Sequence, residues 1–256
     1  MSRPNLFITG AAGGFGRAVA RRFAREGYFV GLYDLDAAPL AALADELGGP
    51  ECAHYATLDV TDVAGAQAAV AAFARATGGT LQVLFNNAGT SAVGAFDDVA
   101  VERSRAVIDV NLFGVMNVAH AAMPLMRRTP GAHLINVSSA SALHGNPELV
   151  AYSATKRAIL SFSESLDIAL RGTGVAVSDI LPMYARTAIV EDVAHLHRRA
   201  PDIKLTADDV AEAVWDVVRT RRFRTYVGTD TKVFAPLSRV LPYRVRRWVT
   251  RRVLGW

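Results

Sequence analysis

Tyrosine, lysine and serine side chains that could move a proton lie near one another in the second half of the sequence. Tyr152 and Lys156 are four residues apart at the start of a predicted helix, so they share one helix face. A free tyrosine titrates at a pH of about 10, but a neighbouring ammonium favours its phenolate. Ser139 follows an apolar strand 13 residues upstream of Tyr152, where its hydroxyl can orient a substrate oxygen; Ser138 is the alternative. Together, the tyrosine, lysine and serine predict proton transfer at a substrate oxygen.

A glycine-rich loop lies near the N-terminus, between the first predicted strand and the first predicted helix. It reads TGAAGGFG over residues 9–16 and contains Gly10, Gly14, Phe15 and Gly16. Glycines let the backbone turn tightly and approach a pyrophosphate, while the N–H groups at the start of the helix supply a counter-charge. The order of strand, loop and helix predicts a dinucleotide site.

An acidic residue ends the second predicted strand. Asp34 lies 18 residues beyond Gly16, near the spacing at which an acid accepts hydrogen bonds from the adenosine ribose hydroxyls. Its carboxylate would repel the 2′-phosphate of NADP, and residues 11–13 and Leu35 provide no cation, which favours NAD. The positive nicotinamide ring of NAD⁺ would favour the phenolate further. The alternative for Asp34 is a turn or helix-cap aspartate, a role that Asp36 could equally have.

Short apolar runs alternate with longer helical patterns along the whole chain, which is typical of βαβ units. Helices are predicted over segments that include Phe15–Gly27, Asp62–Thr77, Val99–Arg127 and Tyr152–Arg171. The predicted strands are Asn5–Thr9, Tyr28–Tyr33, Ala53–Leu58, Leu81–Phe85, His133–Val137, Val175–Leu181 and Arg224–Val227. We therefore expect a doubly wound α/β fold, a Rossmann-type parallel seven-stranded sheet with helices on both faces. Ligands of such sheets bind beyond the carboxyl ends of the strands, where the strand order reverses.

Composition indicates one folded domain, residues 1–256, that combines dinucleotide binding and catalysis. Hydrophobic residues make up 51% and charged residues 20% of the chain, which excludes a disordered protein. No uninterrupted apolar run reaches the roughly 18–20 residues that span a bilayer. The N-terminus lacks the pattern of a secretory signal, and the single cysteine, Cys52, suits a reducing compartment, so we expect the protein in the cytoplasm.

Several motifs occur together, in one order, between residue 5 and about residue 190. They are TGAAGGFG (9–16), Asp34, LDV (58–60), NNAG (86–89), NLFG (111–114), NVSS (136–139) and YSATK (152–156). In these motifs the sequence resembles the short-chain dehydrogenase/reductase family, in its short branch without a separate substrate domain. The resemblance implies an oxidoreductase that acts on an alcohol or ketone, and a homodimer or homotetramer.

The resemblance also implies a role for each catalytic position. Tyr152 would be the acid/base, Lys156 would hold the nicotinamide ribose hydroxyls and assist Tyr152, and Ser139 would polarise the carbonyl. Asn111 would fix a water that feeds protons to Lys156; its alternative is a helix-interior amide that bonds its own backbone.

Further positions are implied to bind the cofactor. Phe15 and Gly16 would face the pyrophosphate, and Asp59 and Val60 would face the adenine. Asn87, Ala88 and Gly89 would lie on the adenosine ribose side, and Ala185 and Thr187 would contact the carboxamide.

One segment departs from the family pattern, because PMYART stands at 182–187 where the family usually has Pro-Gly. Met183 therefore replaces a flexible glycine and could narrow the pocket. Residues 187–204 are predicted to form a substrate lid. Residues that would line the pocket, with ordinary loop packing as the alternative, are Leu143, His144, Asn146 and Tyr184. His195 and His197 point different ways on a helix and lack a third ligand, so no metal site is expected.

The C-terminal part of the chain differs in charge from the rest. Residues 217–256 contain 11 basic residues and one acid, whereas the preceding residues contain 17 basic and 23 acidic ones. Residues 236–256 are predicted to form a basic amphipathic tail, in which Pro242–Trp256 carries apolar residues at helical spacing between arginines. This helix could pack on its own domain or another subunit, or lie on a membrane surface. Nucleic acid is not expected as a partner, because the charge follows a helix with an apolar face.

These observations favour an NAD-dependent oxidoreductase that acts on an apolar secondary alcohol or ketone. The alternative is a cofactor-binding regulatory or membrane-peripheral protein of the same fold with little turnover. The joint presence of Ser139, Tyr152, Lys156 and Asn111 argues against that alternative.

Overall fold

A computed structural model describes residues 3–183, 205–228, 232, 235 and 241–254 of the chain. Within these ranges seven parallel strands form one sheet in the order β3-β2-β1-β4-β5-β6-β7. The strands are β1 (Asn5–Thr9), β2 (Phe29–Asp34), β3 (Ala53–Thr57), β4 (Val83–Asn86), β5 (His133–Val137), β6 (Ala176–Pro182) and β7 (Arg224–Val227). The order reverses between β1 and β4, which creates the crevice expected of a doubly wound sheet.

Helices connect the strands and cover the sheet. In the described ranges these are α1 (Gly14–Arg25), α2 (Ala37–Glu46), α3 (Val63–Ala76), α4 (Val101–Ile108), α5 (Val115–Arg128), α6 (Val150–Ala169) and α7 (Ala207–Thr220). A further helix, α8 (Tyr243–Leu254), follows the last strand. Short 3₁₀ turns form at Gly49–Glu51 and Ala140–Ala142. The predicted fold class, a Rossmann-type parallel sheet, is confirmed.

Alternation along the strands divides the core between the two faces of the sheet. In β1, Leu6 and Ile8 pack with α1 residues such as Phe23, and α7 covers the same face. Phe7, which points the opposite way, packs with Phe73 of α3 and with α5. Helices therefore cover both faces, and the ends of the strands are left to form a site.

Most predicted strands and helices shift by only one or two residues, and β4 shows why. The prediction began this strand at Leu81, whose N–H instead donates to the Thr129 hydroxyl at 3.0 Å. At the other end Asn86 pairs with Asn136 of β5, so the strand runs one residue further than predicted. Side-chain hydrogen bonds from distant residues decide both ends.

The predicted helix Val99–Arg127 is interrupted. Between α4 and α5, Asp109–Gly114 forms a π-helical segment, an irregularity often associated with functional sites. Gly114 packs there against Val60, because an added Cβ would lie 2.5 Å from a Val60 methyl carbon. The wider turn thus brings the helix backbone against the end of β3.

One helical stretch, Val101–Arg128, is long and apolar enough to cross a membrane by length and composition alone. The sequence prediction considered only uninterrupted apolar runs and did not single it out. In the fold, Val118, Ala122 and Met126 of this stretch are buried in the core. Packing against the sheet therefore accounts for its apolar composition.

His133 is a buried titratable residue at the start of β5. It is 1% exposed, and its Nε2 lies 2.7 Å from the Ser178 hydroxyl. Burial, and to a lesser degree the charge of Arg221, lowers the pKa of His133 to about 4. The folded protein therefore holds this histidine neutral at a pH where the unfolded chain protonates it.

We expect the free energy of unfolding to fall as the pH drops from about 6.5 to about 4, because only the unfolded chain gains the His133 proton over that window. This histidine should account for up to about 3 kcal/mol of the loss. Urea unfolding of the wild type and His133→Gln at pH 7 and pH 4.5 measures it, and the variant should lose less stability between the two. Equal losses would contradict the prediction.

Candidate active site

The glycine-rich loop between β1 and α1 folds tightly against itself and against the end of β4. Gly10 has a φ of +68°, and a Cβ there would lie 2.8 Å from the Asn87 side-chain nitrogen. A Cβ on Gly16 would lie 2.2 Å from the Gly10 carbonyl oxygen. Both positions exclude any side chain, which leaves backbone exposed where a cofactor would approach.

The first turn of α1 presents backbone N–H groups without a side-chain cap. Gly14, Phe15 and Gly16 occupy this turn, Gly13 precedes it, and the turn contains no acidic residue. Such N–H groups have no acceptor within the helix, and the helix dipole makes the position favourable for an anion. The loop therefore fits the pyrophosphate of a dinucleotide.

Two side chains of opposite charge hold the Ala12 peptide. The Ala12 N–H donates to the Asp34 carboxylate at 2.9 Å, and the Ala12 carbonyl accepts from Arg17 Nε at 2.7 Å. Asp36, by contrast, caps α2 through the Ala38 N–H. Of the two parts of the alternative, the helix cap is thus Asp36 and not Asp34, although Asp34 also accepts from the Leu35 N–H at 2.8 Å. Sequence reasoning missed Arg17, although its place one residue after Gly16 put it in the first turns of α1.

The end of β4 is bonded to the end of β1. The Asn87 and Ala88 N–H groups both donate to the Thr9 hydroxyl oxygen, at 3.0 and 3.1 Å. The Asn87 side chain also donates to the carbonyls of Thr9 and Gly10, at 3.1 and 2.9 Å. Thr9, which sequence reasoning did not select, thus joins two strands on either side of the crevice.

The residues predicted to face adenine lie at the end of β3. The Asp59 carboxylate accepts from the Thr61 N–H at 2.9 Å and from the Thr61 hydroxyl at 2.7 Å. Val60 is buried, and its carbonyl accepts from the Asn117 side chain at 3.0 Å. These hydrogen bonds fix the backbone that follows β3, which lines the crevice beside the π-helical segment.

Lys156 is a buried cation beneath the predicted acid/base. Its side chain is nearly inaccessible, with the residue 3% exposed, and Nζ donates to the Val137 carbonyl at 2.9 Å. Nζ also lies 5.5 Å from the centroid of the Tyr152 ring. Burial lowers the pKa of Lys156 to about 8, so the ammonium form still predominates at pH 7. The structure thus brings the predicted phenol and ammonium together.

The two serines after β5 have different contacts. The Ser138 hydroxyl is buried and donates to the Lys156 carbonyl at 2.8 Å, which ties α6 to β5. Ser139 is partly exposed and accepts from the Ser141 N–H at 3.2 Å as it caps the turn Ala140–Ala142. Accepting that bond does not use the Ser139 proton. Of the two alternatives, only Ser139 is therefore suited to orient a substrate oxygen.

Asn111 lies in the π-helical segment and is fully buried. Its side-chain oxygen accepts from the Thr90 N–H at 2.8 Å, and its nitrogen donates to the Thr90 carbonyl at 2.9 Å and to the Thr155 hydroxyl at 3.3 Å. The alternative that this amide bonds its own helix backbone is wrong. A Cβ on Gly89 would lie 3.2 Å from the Asn111 side-chain oxygen and 3.6 Å from Lys156 Nζ, so all three meet.

Some predicted residues lie outside the part of the chain that the structure describes. These are Ala185, Thr187, Tyr184, His195, His197 and the predicted lid, residues 187–204. Among the residues that are described, no group of three or more side chains is arranged to hold a metal ion.

A parallel sheet with a glycine loop at its order reversal, next to a tyrosine paired with a buried lysine, defines a dinucleotide-dependent oxidoreductase. The chain belongs to the short-chain dehydrogenase family, whose model, described as short chain dehydrogenase, matches residues 4–197. The recognition made from sequence motifs is thereby confirmed.

Individual relatives agree with this assignment. The 1-deoxy-11-beta-hydroxypentalenate dehydrogenase of Streptomyces exfoliatus is 36% identical over 88% of this chain and 83% of its own. A short-chain dehydrogenase/reductase from Burkholderia phymatum, solved with NAD, has a TM-score of 0.84, 28% identity and 92% coverage of both chains. The closed form of a serine dehydrogenase complexed with NADP⁺ has a TM-score of 0.79 and 28% identity, over 87% of this chain and 94% of its own. Solved relatives thus bind NAD or NADP.

Gly16→Ala should destabilise the protein by about 2 kcal/mol, because the new methyl overlaps the Gly10 carbonyl although alanine otherwise favours a helix. Thermal and urea unfolding would measure the change. Gly13→Ala is the matched control, since a Cβ there would lie 3.4 Å from the same oxygen. Equal stability of the two variants would contradict the close approach at Gly16.

Proposed function

We propose that the protein transfers a hydride between NAD(H) and an apolar secondary alcohol or ketone, with Tyr152 as the acid/base. The observation that carries this proposal is the buried Lys156 ammonium 5.5 Å from the Tyr152 ring. NAD, when bound, supplies the ring that accepts or donates the hydride. The alternative of a regulatory protein with little turnover offers no reason to bury a cation beneath a tyrosine.

In the direction of oxidation, Tyr152 takes the hydroxyl proton of the alcohol. A nearby ammonium in a low-dielectric site stabilises the phenolate that this step requires. Lys156 can do so only while it is protonated, and its pKa of about 8 keeps it mostly charged near neutral pH. The ability of Tyr152 to form a phenolate therefore depends on the positive charge of Lys156.

Ser139 and Asn111 support that proton transfer. The Ser139 proton would be donated to the substrate oxygen and hold it beside the phenol. The side chain of Asn111 is already bonded to Thr90 and Thr155. A water that relays protons to Lys156 would therefore use the backbone of the π-helical segment, where the regular hydrogen-bond pattern changes.

The preference for NAD over NADP rests on Asp34. Its carboxylate lies at the end of β2, beside the glycine loop, where it can accept bonds from the ribose hydroxyls and repel a 2′-phosphate. Arg17 lies on the other side of Ala12 and supplies an opposing charge. We propose that Asp34 dominates, and the NAD complex of the Burkholderia relative supports this choice.

The substrate proposal rests on less direct support. The Streptomyces relative is named for a hydroxylated compound, which agrees with an alcohol as substrate. In this chain Met183 follows β6, and its N–H donates to the Val227 carbonyl at 3.2 Å. A methionine at that point adds apolar surface beside the predicted lid. A homodimer or homotetramer and a cytoplasmic location remain predictions.

Tyr152→Phe should reduce kcat at least a hundredfold while leaving NAD binding nearly unchanged, because only the proton-transferring hydroxyl is removed. NADH absorbance with a panel of secondary alcohols would measure kcat, and calorimetry would measure binding. Tyr55→Phe, at an exposed position on β3, is the control. Retention of more than a tenth of the wild-type kcat would refute the assignment of Tyr152.

Asp34→Asn should shift cofactor preference toward NADP by roughly tenfold or more, because it removes the repelling charge but keeps an oxygen for the Ala12 N–H. The ratio of kcat/KM for NAD and NADP measures the shift. Asp36→Asn, two residues away at the cap of α2, should leave the ratio unchanged. A wild type that already prefers NADP would overturn the NAD proposal.

A further inference from the structure

A cavity of about 670 Å³ lies between α8, the segment 141–147 and the start of α6. This volume is within the range of small-molecule sites. Leu143, His144 and Asn146, which sequence reasoning expected around the substrate, all line it. Tyr152 and Ser139 are absent from its described lining.

Helix geometry places the cavity and the catalytic pair on different sides of α6. The helix contributes Val150, Ser153, Ala154 and Arg157 to the cavity. Val150, Ala154 and Arg157 share one face because they are three or four positions apart. At about 100° per residue, that face is nearly opposite to the one that carries Tyr152 and Lys156. The backbone of α6 thus separates the two sites.

The lining of the cavity combines positive charge with apolar surface. Four arginines contribute to it, namely Arg157, Arg246, Arg247 and Arg251. Its described lining contains no aspartate or glutamate. Burial, and to a lesser degree the charge of Arg246, lowers the pKa of His144. Apolar lining comes from Leu143, Pro147, Val150 and Ala154.

Helix α8 contributes three of these arginines to the lining. An amphipathic helix ordinarily turns its apolar side toward its own domain. Here the partly buried positions include Arg246 as well as Val249, whereas Val245 and Trp248 are 42% and 61% exposed. Arg247 and Arg251, which are exposed, line the cavity together with Arg246. The cavity therefore presents guanidinium groups beside apolar side chains.

We propose that this cavity binds an amphipathic organic anion. The anionic group, a carboxylate or phosphate ester, would pair with Arg247 and Arg251, since arginine suits both groups. The apolar part would lie on Leu143, Pro147 and Val150. Neither charge nor apolar surface alone accounts for the lining, so both parts of the ligand are required.

Calorimetric titration of the full-length protein with octanoate tests the proposal. Octan-1-ol carries the same chain without the charge, and inorganic phosphate carries charge without the chain. Octanoate should bind at least tenfold more tightly than either. Equal affinity for octan-1-ol would overturn the anion requirement, and equal affinity for phosphate would overturn the apolar one.

Paired variants of α8 locate the site. Arg247→Gln with Arg251→Gln should weaken octanoate binding at least tenfold. Arg244→Gln with Arg252→Gln removes the same charge from outside the cavity lining and should change affinity less than twofold. Equal losses in the two pairs would show general attraction to a basic helix and would overturn the proposal.

A steric variant and a competition complete the test without using turnover. Val150→Trp should occupy the apolar part of the cavity and weaken octanoate binding at least fivefold, with the melting temperature confirming that the variant is folded. Saturating NADH should leave octanoate affinity within twofold, because the cavity lies across α6 from Lys156. Displacement of octanoate by NADH would place it in the cofactor crevice and refute a separate site.

Discussion

The buried ammonium of Lys156 is the constraint on which the arrangement of the site depends. A buried charge is costly unless it is paired or hydrogen-bonded, and the described contacts of this one are the Val137 carbonyl and the Tyr152 ring. Both contacts require α6 to take one position along its axis relative to the end of β5. The Ser138 hydroxyl stabilises that position by donating to the Lys156 carbonyl itself. The position of the acid/base therefore follows from how the lysine is buried.

On its other side, the Lys156 ammonium lies near Gly89 and Asn111, where the missing side chain of the glycine leaves room. Gly89 carries no side chain, and a Cβ there would press on the Asn111 side-chain oxygen and approach Lys156 Nζ. Asn111 in turn bonds the backbone of Thr90 in both directions and reaches Thr155 on α6. The segment after β4, the π-helical segment and α6 are thus joined through one amide. The irregular helix turn therefore lies where these three elements meet.

Local signals in the sequence predicted the strands, the glycine loop and the pairing of Tyr152 with Lys156, because each depends on residues close in the chain. The bonds that complete the site join distant residues and have no such signal. Thr9 accepts from residues nearly eighty positions away, and Ser138 was distinguished from Ser139 only by its contact with α6. Likewise, the spacing in α8 predicted its apolar and basic positions but not that Arg246 would be partly buried.

The catalytic face and the arginine-lined cavity are physically connected even though α6 separates them. Val150 and Ala154 of the cavity belong to the same helix turns as Tyr152. Arg157 donates to the Ala142 carbonyl at 2.8 Å, in the turn that Ser139 caps. Arg157 thus joins the helix that carries Tyr152 to the turn that Ser139 caps.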